Sequence, residues 1–206
     1  LGLLFPSTVM GRDCPPVEFP LDGIQQEGPT CLVAATMGVL GHWNGETKTV
    51  KHWARELPLW PDGIDWFDLA NLLEKAGWNT LLFTGPPEAA GRLVEAGFPV
   101  VAMTIENGQT HALTLHGIQR IENEKGACGA VKRLRVMNPS TGRSTWQSAV
   151  KFEAAQSGQR LMLVYPPQAT EALEMSRFPL EIARKVNRRI RAQSLLKRAE
   201  KHHHSN

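Results

Sequence analysis

Residues 25–40 read QQEGPTCLVAATMGVL, and this stretch decides the fold. A turn built on Gly28 and Pro29 delivers the thiol of Cys31 to the first turn of an apolar helix. The amino terminus of a helix carries partial positive charge and unpaired N–H groups, so a thiolate forms most easily there. The sequence therefore predicts that Cys31 is a nucleophile rather than a buried structural thiol.

Two later stretches supply the groups that a reactive thiol needs. The segment THALTLHGI at 110–118 begins an apolar strand with His111, and VMNPSTG at 136–142 ends a strand at Asn138. A histidine can hold a thiol as a thiolate–imidazolium pair, and an amide oxygen can fix the tautomer and angle of the ring. Cysteine, histidine and asparagine in this order, with a glutamine before the cysteine, form the pattern of a papain-type active site.

Together these stretches resemble the papain-like cysteine peptidases over about residues 20–165. The nearest likeness is to the branch typified by bacteriocin-processing peptidases, which cleave double-glycine leader peptides. Each stretch is weak alone, but the three in order are moderately specific. The chain departs from that branch at Leu32, where glycine is usual, and at Asn138, where aspartate is frequent. Neither departure removes a catalytic group.

The resemblance implies a role for each of four residues. Cys31 would attack an amide carbonyl, and His111 would serve as base and then as acid. Asn138 would orient the imidazole through its side-chain oxygen. Gln26 would donate a hydrogen bond to the oxyanion, together with the backbone N–H of Cys31. No metal or cofactor is needed for this chemistry.

Three of these assignments have rivals in the sequence. His116 lies five residues after His111, so on one strand the two side chains face opposite sides. The resemblance places the base at the start of the strand and favours His111. Asn138 precedes a proline, which is also a common way to start a turn. Gln25 is an alternative to Gln26, because both offsets from the cysteine occur in the family.

The order of the predicted elements indicates an α+β fold. Helical patterns dominate the first half, and an antiparallel meander follows, which is the segregation expected of this class. We therefore expect a papain-like architecture with a helical amino-terminal part, a β meander and a basic helix at the carboxyl end. The main helices are predicted at 30–43, 50–57, 64–76 and 87–96, and the meander strands at 99–105, 111–121, 131–137 and 160–165.

Charge divides the chain at about residue 166. From Glu171 onward there are nine Lys/Arg against four Asp/Glu, whereas the whole chain carries only +3. We expect a papain-like domain over 1–166 and a basic amphipathic tail over 167–206, with a helix at 179–201. Its predicted apolar stripe consists of Ile182, Val186 and Ile190.

The number of cysteines suggests in which cellular compartment the protein resides. The three cysteines, Cys14, Cys31 and Cys128, form an odd and sparse set, which argues against a disulfide framework. No apolar run approaches the roughly 18 residues of a membrane span. We expect a cytoplasmic protein, and the alternatives are removal of an amino-terminal targeting segment and delivery as a secreted effector.

The function that these residues predict is cleavage of a peptide bond through a thioester, with a protein or peptide as substrate. The same triad also supports glutamine deamidation or transglutamination. A different class is an inactive binding module that keeps the fold. The basic helix could contact a protein partner, and the lack of aromatic residues among its charges argues against nucleic acid.

Overall fold

A computed structural model describes residues 12–43, 49–60, 63–106, 108–176 and 178–203. Helices and strands are mixed in the first half of the chain, strands dominate the second half, and two helices end the chain. No helix in this described part is both long enough and apolar enough to cross a bilayer. The helices are α1 (Cys31–His42), α2 (Val50–Arg55), α3 (Trp66–Lys75), α4 (Pro87–Glu95), α5 (Ala149–Ala155), α6 (Thr170–Met175) and α7 (Leu180–His203).

The strands form one large antiparallel sheet and one small hairpin, so the α+β prediction is confirmed. In the large sheet the order is β4-β9-β5-β6-β7-β8, with β1 against the second half of β6. Three of the predicted meander strands are β5, β6 and β7 in sequence, whereas the fourth, at 160–165, is β9 and lies between β4 and β5. The strands are β1 (Val17–Glu18), β2 (Leu59–Trp60), β3 (Gly63–Ile64), β4 (Asn79–Thr84), β5 (Val100–Glu106), β6 (Gln109–Glu122), β7 (Cys128–Asn138), β8 (Arg143–Ser148) and β9 (Gln156–Tyr165).

The sheet is covered by helices on both faces. Alternating side chains of a strand point to opposite faces, and β4 shows this directly. Leu81 and Phe83 pack with α4, α5 and the start of α7, whereas Leu82 packs with α1, α2 and α3. Both faces of the central strands are therefore apolar, as expected of a sheet that is buried on two sides.

Small residues allow α1 to lie very close to the sheet. Ala34 and Ala35 are fully buried, and a Cβ added at Gly38 would lie 3.1 Å from the terminal methyl of Met137. The hydroxyl of Thr114 donates a 2.7 Å hydrogen bond to the Ala35 carbonyl. This packing fixes the amino end of α1 beside β6 and β7.

The carboxyl-terminal helix packs along β4. Leu180 and Ala183 are buried in the same apolar cluster as α4, and the side-chain oxygen of Asn187 accepts a hydrogen bond from the Leu82 N–H at 3.1 Å. Ile182 is 65% exposed, so the predicted apolar stripe does not meet the sheet at this residue. The buried positions lie one residue further along, because the helix meets the sheet edge through Ala183 and Asn187.

A disulfide joins Cys14 to Cys128, contrary to the expectation from the cysteine count. Their Cα atoms lie 6.0 Å apart, and the Cys14 N–H donates to the Arg120 carbonyl at 3.0 Å. The bond ties the lead-in before β1 to the start of β7. The two cysteines are 114 residues apart in sequence, so no local pattern predicts their pairing.

Removing this disulfide is expected to destabilise the protein. Closing so long a loop restricts the unfolded chain, and the doubly substituted Cys14→Ser/Cys128→Ser protein should lose about 3 kcal/mol of unfolding free energy. Urea unfolding monitored by circular dichroism measures this, with Cys31→Ser as the matched control that retains the bond. Equal midpoints for all three proteins would contradict the cross-link.

Candidate active site

The turn before α1 places Cys31 at the first position of that helix. Gly28 has a φ of 66°, a conformation that glycine adopts without strain. The Thr30 hydroxyl donates to the Glu27 carbonyl at 2.9 Å and accepts from the Glu27 N–H at 3.1 Å, which closes the turn. Cys31 is half-buried and is the free cysteine among the described residues. The predicted position of the thiol at a helix start is therefore observed.

The register of the sheet brings His111 and Asn138 together. Thr114 pairs with Met137, so the residues that follow β7 lie beside the start of β6. His111 Nε2 lies 2.9 Å from Asn138 Oδ1. The backbone N–H of Ser140 donates to the same oxygen at 2.9 Å, which turns the amide oxygen toward the ring. Since Nε2 is engaged by the amide, Nδ1 is the nitrogen left to face the thiol.

Cys31 and His111 form a hydrogen-bonded pair with opposing shifts in pKa. Burial alone raises the pKa of Cys31, but the hydrogen bond to His111, the N–H of Ala112 and the imidazolium charge lower it below the ordinary value. Burial alone lowers the pKa of His111, but the hydrogen bonds to Cys31 and Asn138 raise it above the ordinary value. The pair therefore favours a thiolate beside an imidazolium.

His116, the rival base, is occupied elsewhere. Its Nδ1 lies 2.8 Å from the Phe19 carbonyl and its Nε2 lies 2.9 Å from the Ser144 hydroxyl. Burial lowers the pKa of His116 below its ordinary value, which favours the neutral ring at neutral pH. His116 anchors the segment after β1 to the sheet. Of the two histidines, the structure brings only His111 to Cys31 in the described part of the chain.

Comparison with solved structures finds the same fold in peptidase domains. The peptidase domain of Streptococcus ComA, a bifunctional ABC transporter involved in quorum sensing, superposes with a TM-score of 0.56 at 14% identity, covering 71% of this chain and 98% of that chain. A double-glycine-motif protease from an AMS/PCAT transporter, solved with its leader peptide, gives 0.53 at 18%, covering 73% and 93%. A C39-like peptidase from Bacillus anthracis gives 0.55 at 17%, covering 73% and 98%.

The chain has the papain-like fold of C39-like peptidase domains. This confirms the resemblance that the three sequence stretches indicated, at the level of the fold. No family model matches the sequence. No curated protein matches it either.

Gln26 and Gln25 both lie against the turn that follows β7, where each contacts Ser140. Gly23 approaches Gly142 so closely that a Cβ would meet its carbonyl at 2.1 Å, and the Gln26 N–H donates to the Pro139 carbonyl at 2.9 Å. The segment is thus docked on the turn after β7. Gln26 is half-buried and its Nε2 donates to the Gly28 carbonyl at 2.9 Å, whereas Gln25 is exposed.

Ser140 lies at the centre of the site and was missed from sequence. Its hydroxyl lies 3.4 Å from His111 Nε2 and 3.4 Å from Gln26 Oε1. It therefore connects the proposed base to the proposed oxyanion donor. Its place two residues after Asn138 in the Pro-Ser-Thr turn was the available signal, but a serine in a turn is too common to single out.

Glu106 also lies at the site and was missed. It ends β5 and pairs with Gln109, the first residue of β6. Its Oε2 lies 3.9 Å from His111 Nε2, and its Oε1 accepts a 3.5 Å hydrogen bond from Asn138 Nδ2. The site thus brings a carboxylate to the side of the ring that faces away from the thiol.

Proposed function

We propose that this protein is a cysteine peptidase that uses Cys31, His111 and Asn138. The observation that carries the proposal is the hydrogen bond between Cys31 and His111, with Asn138 Oδ1 2.9 Å from the far ring nitrogen. Hydrolysis by a thiol nucleophile needs a nucleophile, a base and an orienting group that are hydrogen-bonded in series. The papain-like fold supports the same conclusion.

Hydrolysis would proceed in two halves. The Cys31 thiolate attacks the carbonyl carbon of the scissile amide, and the imidazolium of His111 donates its proton to the departing amine. The C–N bond breaks and a thioester remains on the sulfur. A water molecule then gives a proton to His111 and attacks the thioester, which releases the acid and restores the thiolate. Asn138 holds the ring in one tautomer throughout.

Gln26 is proposed to stabilise the oxyanion with the N–H of Cys31. An amide nitrogen has two N–H groups, and only one of those on Gln26 is used on the Gly28 carbonyl among the described contacts. Gln26→Ala is expected to reduce turnover by about 100-fold, because one oxyanion donor is lost. Gln25→Ala is the matched control and should stay within about twofold of the parent protein. Equal losses from the two variants would contradict the assignment.

A peptide library with mass spectrometry tests the proposed activity. The expected result is the appearance of new peptide termini that depend on Cys31. Conversion of glutamine to glutamate without chain cleavage would instead support deamidation. No change in any peptide, together with an unreactive Cys31, would support the inactive binding module and overturn the peptidase proposal.

The location of the protein stays a prediction. The cytoplasm was expected from the sparse cysteines, but disulfides persist mainly in oxidising compartments. The Cys14–Cys128 bond therefore supports the alternative of a removed targeting segment or delivery outside the cell. Alkylating thiols in intact cells before lysis, then counting the blocked cysteines, decides between the two.

A partner for the basic helix also stays a prediction. The outer face of α7 presents the exposed side chains of Arg188 and Arg189, followed by Leu195 and Leu196, which are 69% and 64% exposed. Its inner face packs on β4. The division of the chain at residue 166 likewise stays a prediction.

A further inference from the structure

Glu106 is a charged side chain that contacts both the base and its orienting residue. Its carboxylate reaches Asn138 Nδ2 through Oε1 at 3.5 Å and faces His111 Nε2 through Oε2 at 3.9 Å. It is 40% exposed, whereas His111 is 9% exposed, so the carboxylate lies at the rim and the ring lies inside. The proposed mechanism gives Glu106 no role.

An asparagine leaves the imidazolium without a nearby negative charge on its Nε2 side. The amide oxygen accepts the hydrogen bond from the ring, but it is neutral and its orientation can reverse. A reversed amide would present N–H₂ to the ring and lose the hydrogen bond. Two contacts oppose this reversal: the Ser140 N–H holds Oδ1, and Glu106 accepts from Nδ2.

We infer that Glu106 is a positioning residue for the Cys31–His111 pair, holding the Asn138 amide in its productive orientation and supplying the negative charge that the amide lacks. This inference rests on the proposed function and concerns how the same site is tuned. Among the residues that the structure describes, two charged groups face His111: Cys31 from α1 and Glu106 from β5. The remaining partners, Asn138 and Ser140, are neutral.

The two charges act on opposite sides of the ring. The thiolate pairs with one nitrogen, and the carboxylate faces the other. The charge of Glu106 is among the causes that raise the pKa of His111. Because Glu106 is partly exposed, water screens the interaction, and an effect of about half a pH unit is expected rather than several units.

The titration of the His111 ring tests the inference. Proton NMR follows the imidazole C–H resonance that is missing from His111→Ala. In the parent protein its midpoint should lie above the ordinary value of about 6.5. Glu106→Gln keeps an oxygen that can accept from Asn138 but removes the charge, so the midpoint should fall by about half a unit or more.

Glu122→Gln is the matched control. Glu122 is another half-exposed glutamate at the far end of β6, eleven residues beyond His111. A strand of that length spans about 36 Å, well beyond the range of a screened charge. In Glu122→Gln, the titration midpoint of His111 should equal that of the parent protein.

A second variant tests whether a negative charge on this side of the ring restores the midpoint. In the Glu106→Gln background, Asn138→Asp places a carboxylate directly on His111 Nε2, so the midpoint should recover to the parent value or exceed it.

The outcomes distinguish the inference from the proposed function. A parent midpoint at or below about 6.5 would overturn the ion pair itself, and the peptidase proposal with it. A raised parent midpoint that is unchanged in Glu106→Gln would overturn the role of Glu106 alone. A fall in Glu106→Gln without recovery in the double variant would also overturn it, because the lost charge would then not be the cause.

Discussion

Replacing Cys31 with serine is expected to lower peptide cleavage by at least about 10⁴-fold, the range seen when a catalytic nucleophile is removed. Serine is nearly the same size, so the start of α1 and its packing on the sheet should be preserved. A hydroxyl, however, ionises far less readily than a thiol and cannot form the ion pair with His111. Product formation from the best library peptide, followed over time, measures the loss.

The control for this prediction is the double variant Cys14→Ser/Cys128→Ser, assayed well below its unfolding midpoint. It lacks both other cysteines but keeps Cys31, so its cleavage rate should stay within about threefold of the parent rate. If the Cys31→Ser protein cleaved at the parent rate, the thiol could not be the nucleophile. The activity would then have to come from another group or from a contaminant.

Replacing His111 with alanine is expected to lower the alkylation rate of Cys31 by about 100-fold at pH 6. In the parent protein the thiolate is favoured, because the hydrogen bond to His111 and the imidazolium charge lower the pKa of Cys31 below its ordinary value. Without the imidazole, an ordinary thiol is less than about 1% ionised at pH 6. Iodoacetamide labelling read by mass spectrometry measures the rate at each pH.

His116→Gln is the matched control for that experiment. It removes a second buried histidine from the same strand, while the amide can still bond with the Phe19 carbonyl and the Ser144 hydroxyl. We expect its alkylation rate to lie within about twofold of the parent rate. A large loss in His116→Gln with little loss in His111→Ala would reverse the assignment of the base.

The parts of the site that were predictable lie in short local patterns. The Gly-Pro turn before Cys31 and the small residues Ala34, Ala35 and Gly38 define a helix start that must lie close to a sheet. The step from His111 to Asn138 follows from two strands joined by a polar turn. These features depend on neighbours in the sequence, so the pattern of the chain carries them.

The parts that were missed carry no distinctive signal in the sequence. Glu106 and Ser140 reach His111 through the pairing of β5, β6 and β7, but a glutamate at a strand end and a serine in a turn are both too common to single out. The insertion of β9 between β4 and β5 has no local signal either, since strand pairing at long range is set by tertiary packing. The Cys14–Cys128 bond also requires the assembled sheet.

The apolar stripe predicted for α7 has the correct helical periodicity, but it is not the face that meets the sheet. Ile182 and Val186 do share a stripe, but the stripe that meets the sheet is shifted toward Ala183 and Asn187. Asn187 is polar and so did not count as a core position. It is half-buried because the edge strand β4 leaves the Leu82 N–H in need of an acceptor.

The measurement that tests the central claim most directly is the thiolate absorbance of Cys31 in the ultraviolet as a function of pH. Subtracting the spectrum of Cys31→Ser isolates the signal of this one sulfur. The account predicts a midpoint below the ordinary value of about 8.5, which returns toward that value in His111→Ala. A midpoint near 8.5 in the parent protein, unchanged by the loss of His111, would contradict the ion pair and the peptidase function built on it.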